Sequence, residues 1–208
     1  MSLTKTLVAA ALASLAFGVQ AATPTIDFTA GTTSSEAGAI TIDFNSGRPL
    51  NYLGGGDLFT GSSGEYAQPV GATGAYLSQG TSPASQTGTT NAMFAGLSYF
   101  GFYWGSPDTY NMVTVHTADG GSYSYDGSAL VAAAGANAPA WGNRDVGIYV
   151  NFHAAGSAIT QVDFSSPTQN ALETDNHAYI NAVPEPETYA MLLAGMALVG
   201  FAARRRKA

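Results

Sequence analysis

The sequence has 208 residues, a net charge of −7 and no cysteine, with 25 glycines and 11 tyrosines. The missing cysteines exclude disulfides, cysteine nucleophiles and thiolate metal sites. Between residues 22 and 182 the basic side chains are Arg48 and Arg144 alone, set against twelve carboxylates; such a surface repels phosphate backbones and argues against nucleic acid as a partner.

The chain opens on a positive residue, Lys5. An uncharged apolar run of eleven residues follows (Leu7 to Phe17), and then the small-residue pattern Val19-Gln20-Ala21. That order predicts a signal peptide over residues 1–21, removed by signal peptidase. Eleven apolar residues are too few to span a bilayer. Residues 22–182 are then one domain, long enough to bury a substantial core.

Within that domain the signals are those of strands. Ile40, Ile42 and Phe44 alternate in AITIDF, which ends on the turn Asn45-Ser46-Gly47. GGGD at Gly54–Asp57 lacks the spacing of a dinucleotide loop and reads as an ordinary loop. The chargeless stretch Gln68–Asn91 is rich in Gly, Ser and Thr and reads as a long loop with one strand near Ala75–Leu77. Leu97–Trp104 (LSYFGFYW) is apolar on both faces and predicts a central strand. Val113 and Val115, Tyr123 and Tyr125, then Val146, Ile148, Val150 and Phe152, and lastly Val162 and Phe164 repeat with period two. Strands recurring between turn signals, with no helix among them, predict an all-β, antiparallel, two-layer β-sandwich of jelly-roll type. No internal repeat points to a solenoid or propeller.

Chemistry is sparse. Tyr103, Trp104, Asp108 and Asn111 cluster around one turn, and aromatic faces beside carboxylate and amide groups suit carbohydrate contact; the alternative is that both rings are core. Asp175 and Asn176 open the last strand as candidate oxygen ligands for a structural calcium ion, or as a turn bonding to its own backbone. His116, His153 and His177 fall in no short metal-binding spacing. Glu36, Glu65 and Glu173 offer no obvious pair for a glycosidase, and no GxSxG elbow occurs. The expectation is a protein that is not an enzyme and needs no cofactor.

The C-terminus has three parts in order: Val183-Pro184-Glu185-Pro186-Glu187, an uncharged run from Tyr189 to Ala203, and the basic cluster Arg204, Arg205, Arg206 and Lys207. Two prolines disfavour a helix and keep the first part extended. As a helix, the fifteen-residue run would cover about 22 Å, short of a hydrocarbon core of about 30 Å, so it suits a transient stop. The arginines would hold its end on the cytoplasmic side. This pattern over residues 183–208 resembles the PEP-CTERM sorting signal, an exosortase substrate of the kind seen as an ice-binding-protein C-terminal anchor. The resemblance implies recognition through Pro184, Glu185 and Pro186, and processing by an exosortase after a temporary stay in the inner membrane. It further implies release to the cell surface or extracellular matrix of an exopolysaccharide- or biofilm-forming Gram-negative bacterium. LSYFGFYWGSPDTYNMVTV and LETDNHAYINAV also resemble segments of the extracellular domains of such proteins, some of them akin to carbohydrate-binding modules. The expected role is therefore structural or adhesive. A carbohydrate-binding module carried by the same tail, in contact with extracellular polysaccharide, is the alternative, and a secreted glycoside hydrolase a more distant one.

Overall fold

The longest strand organises the molecule. In the computed structural model, which describes residues 22–135, 144–183, 193–197, 199 and 204, the apolar run LSYFGFYW lies within a sixteen-residue strand, Thr90–Gly105. Among the described residues it is the sixth of eleven strands. The others are β1 Thr25–Thr29, β2 Ile40–Ile42, β3 Tyr52–Gly54, β4 Asp57–Thr60, β5 Ala75–Gln79, β7 Met112–Thr117, β8 Ser122–Asp126, β9 Gly147–His153, β10 Ile159–Ser165 and β11 Leu172–Asn181. All the pairings are antiparallel.

A strand has two edges, and β6 fills both of its edges twice. Toward its start it pairs with β10 and β3; from Leu97 onward it pairs with β9 and β11. The two halves face each other. Phe164 on β10 is paired with Thr90, ten residues before Phe100; on a straight strand at about 3.3 Å per residue those positions would be some 33 Å apart. Their ring centroids are 6.1 Å apart, so β6 must bend over its own core. Tyr125 on β8 likewise meets Phe152 on β9 at 5.6 Å, although three strands separate them along the hydrogen-bonded path. The bend lies near Gly96, where β10 slips register between Ile159 and Gln161, as bulges permit. All eleven strands belong to one hydrogen-bonded sheet. The mostly β, antiparallel class thus holds, and the pairing joins the facing halves into one sheet that folds over its core.

Several local expectations need correction. Ile40 is 50% exposed, because β2 is a three-residue edge strand held by β11 alone. Phe44 does reach the core, but from a turn at φ 59°, not from a strand. The pattern in β9 suggested one buried face; Tyr149 and Asn151 on the other face are buried too, since β1 and β6 cover both edges of β9 and loops cover its outer side. One helix was missed. Asp126 caps α1, Gly127–Ala134, by accepting from the Ala129 amide at 2.7 Å, and the helix buries Leu130, Val131 and Ala134. Aspartate suits this position because its side chain accepts from an otherwise unpaired amide of the first helical turn.

The stretch 68–91 is ordered by its surroundings. It supplies β5, a single 3-10 turn at Ala84–Gln86 and the buried Tyr76, Leu77, Ser78, Gln79 and Gln86. GGGD is a turn wrapped around one guanidinium: Arg48 donates to the carbonyls of Tyr52, Leu53, Gly54, Gly55 and Gly56 at 2.8–3.3 Å. Gly54 and Gly56 have φ of 81° and 73°, a region that disfavours side chains.

Candidate functional site

A polar cleft of about 170 Å³ opens where four separate segments meet: residues 64–67, Ser106–Tyr110, Arg144, and Asn170–Glu173. Glu173 forms its floor. As the second residue of β11 it pairs with Gly105 and Ser78, which carries its side chain beneath the 64–67 loop. There Oε1 accepts from the Ala67 amide at 2.7 Å and Oε2 from the Ser106 hydroxyl at 3.2 Å. Burial outweighs those bonds and pushes the carboxyl up to about 7, because loss of water penalises the charged form.

Asp108 lines the opposite wall. Burial raises its pKa, partly offset by Tyr110 and Arg144. The Tyr110 hydroxyl lies 2.7 Å from Asp108 Oδ2 and 2.7 Å from the Asn170 carbonyl. A phenol has one hydrogen to give, so the Asp108 carboxyl oxygen and the Asn170 carbonyl share it as acceptors. Tyr66, its ring stacked on Phe59 with centroids 4.1 Å apart, borders the cleft, whose lining is almost wholly polar. Arg144 reaches in from the rim and donates to the Ser63 carbonyl at 3.2 Å. The cleft thus combines a guanidinium, amide and hydroxyl groups, and two carboxyls whose pKa values burial raises, that of Glu173 to about 7. At about 30 Å³ per water it holds roughly six waters, space for one small hydroxyl-rich ring.

Of the four residues named for carbohydrate contact, Asp108 alone lines this cleft. Trp104 is 1% exposed and Tyr103 3%, so neither ring offers a face for stacking, and the proposed patch is corrected on that ground. Trp104 Nε1 donates to Asn111 Oδ1 at 3.1 Å, while Asn111 Nδ2 donates to the Ala171 carbonyl at 3.1 Å. Tyr103 donates to the Val70 carbonyl at 2.8 Å. These three residues form the frame behind the cleft, because a strand with sheet on both edges and loops above it leaves no ring exposed.

Asp175 and Asn176 sit within β11, not at its start, at a register shift against β6 where Asn176 takes φ 45°. Asp175 Oδ1 accepts from the Asn176 amide at 2.7 Å, and Asn176 donates its side-chain amide to the Thr32 carbonyl at 2.9 Å. Burial raises Asp175 to about 7. Among the described residues no group of three or more His, Asp or Glu side chains is placed to hold a metal ion. His116 and His153 face Asp163 and Asp27, each at 2.8 Å.

Glu173, Tyr66, Tyr110 and Arg144 were not anticipated as a site. They come from distant parts of the chain, and no spacing in the sequence links them.

The ends of the chain lie mostly outside the described residues: 1–21, Pro184, Glu185, Pro186, Arg205 and Arg206. Residues 193–197 are helical and Arg204 is exposed. No helix among the described residues is long and apolar enough to cross a membrane. A family model described as the PEP-CTERM protein-sorting motif matches residues 182–207. The chain carries a PEP-CTERM tail. Such a tail implies export, sorting to the cell surface and an exosortase as processing partner. The PEP-CTERM match begins at Ala182, one residue after β11 ends. No curated protein and no solved structure matches the chain.

Proposed function

We propose that this chain is a non-enzymatic surface or extracellular-matrix protein with a structural or adhesive role among exopolysaccharides. In this reading the tail parks briefly in the inner membrane, an exosortase acts on it, and the domain passes to the cell exterior. The match over residues 182–207 carries the reading. An acidic, disulfide-free β domain that depends on its core for stability suits a life outside the cell. The reading needs no cofactor; calcium at Asp175 and Asn176 would be purely structural. The test is the double substitution Pro184→Ala with Glu185→Ala in a host that has the exosortase. The expected result is full-length precursor in the inner membrane, and normal processing would refute the assignment.

The polar cleft favours a second reading, a carbohydrate-binding domain delivered by the same tail. Asp108, Arg144 and Asn170 are then the partners for hydroxyl groups, with Tyr66 at the border of the cleft. Titration of matrix saccharides should show binding that falls at least tenfold in Tyr66→Ala and in Asp108→Asn. Absence of binding across such saccharides returns the domain to a purely structural role.

A further inference from the structure

The end of the domain from which the tail leaves carries a groove of about 600 Å³. Val183, the last described residue before the Pro-Glu-Pro stretch, is part of its wall, and the Ala182 amide donates to the Gly96 carbonyl at 3.0 Å, which ties the exit to β6. Ala22, the first described residue, lies beside Gly156 on the same wall. Both ends of the domain therefore emerge at one pole, on either side of one groove.

The groove has a distinctive chemistry. Its walls include Ala95, Gly96, Ser98, Ala154 and Ser157, and no charged side chain lines it, although the domain around it carries twelve carboxylates. Small uncharged walls allow a partner's backbone to approach closely and impose no charge repulsion. Chain length narrows the choice of partner. Five residues lie between Val183 and Tyr189, where the apolar run begins, and fully extended the six steps reach about 20 Å. While the apolar run is held in lipid, this pole cannot move further than that from the membrane surface. An enzyme that grips Pro184–Pro186 must work in the same narrow gap.

We propose that the groove is a docking surface for the extracytoplasmic face of the exosortase, so that the folded domain, and not the tail alone, is read during processing. The inference rests on the tail reading above. The test uses the full chain with Ala95→Arg and Ser98→Arg together; both residues are exposed on the groove wall. Precursor should accumulate, with processing slowed about tenfold, while the melting temperature of the domain stays unchanged. Processing at the normal rate, alongside a block in the Pro184→Ala, Glu185→Ala chain, overturns docking and leaves the tail assignment intact. Normal processing of both chains overturns docking and the tail assignment together. A photo-crosslinking residue at Ser98 gives a readout independent of variant stability: an adduct with the exosortase is expected, and its absence while the tail is being processed overturns the proposal.

Discussion

The hydroxyl of Tyr52 lies 3.0 Å from Nδ1 of His177, deep in the core. The other ring nitrogen of His177 lies 2.9 Å from Thr174 Oγ1. Phe44, Tyr52, Phe100, Phe102 and Phe164 surround the ring with centroids 4.8–6.0 Å away. A neutral imidazole, with one nitrogen accepting and one donating, satisfies both contacts.

Burial lowers His177 from 6.5 to about 3. The unfolded chain therefore binds a proton between those values that the folded chain refuses. Stability from this group is fully present above pH 6.5 and is lost as pH falls toward 3, by on the order of 3–5 kcal/mol. His177→Phe keeps the aromatic packing but leaves two hydroxyls without partners, at a cost of about 2 kcal/mol at pH 7. Urea unfolding across this range should show the variant losing less stability on acidification than the parent. Parallel curves would contradict the assignment of a neutral ring.

Glu173 has the opposite sign. Its folded value of about 7 lies above the ordinary 4.5, so the folded state holds the extra proton and stability declines as pH rises between those values. Glu173→Gln preserves an acceptor for Ala67 and supplies a donor for Ser106. Relative to the parent, the variant should gain roughly 3 kcal/mol as pH rises from 4.5 to 7. A difference in unfolding free energy that stays flat with pH would show that this carboxyl is ionised throughout.

Arg48 holds the Gly54–Gly56 turn by bonding to five successive carbonyls. Arg48→Ala should destabilise by about 2–3 kcal/mol, and Arg48→Lys should recover less than half of that, because an ammonium lacks the planar fork. The urea midpoint reports the loss. Equal stability of Lys and Arg at this position would mean that charge, not geometry, secures the turn.

Legibility in the sequence depended on how local each signal was. Val113, Val115, Val162 and Phe164 alternate within a few residues, and all four are buried as expected. The same alternation misled at Ile40, since period two reports a face but not whether anything lies against it. The helix after Asp126 went unread because its eight residues, GSALVAAA, are too few for a 3.6-residue period to show. The cleft was illegible because Tyr66, Asp108, Arg144 and Glu173 lie far apart in the chain and meet through pairings that no spacing encodes.

Read alone, the sequence settled what depends on chain-local chemistry. The Pro-Glu-Pro stretch, short apolar run and basic cluster form a tail, the lack of cysteine leaves the core without disulfides, and period-two runs are strands. The bend of β6 belonged to the tertiary structure. So did the burial of Trp104 and Tyr103, the neutral histidine among aromatic rings, and the meeting of both domain ends at one groove. Each of these arises from contacts between residues distant in the chain, where loss of water and the shared edges of one long strand set the outcome.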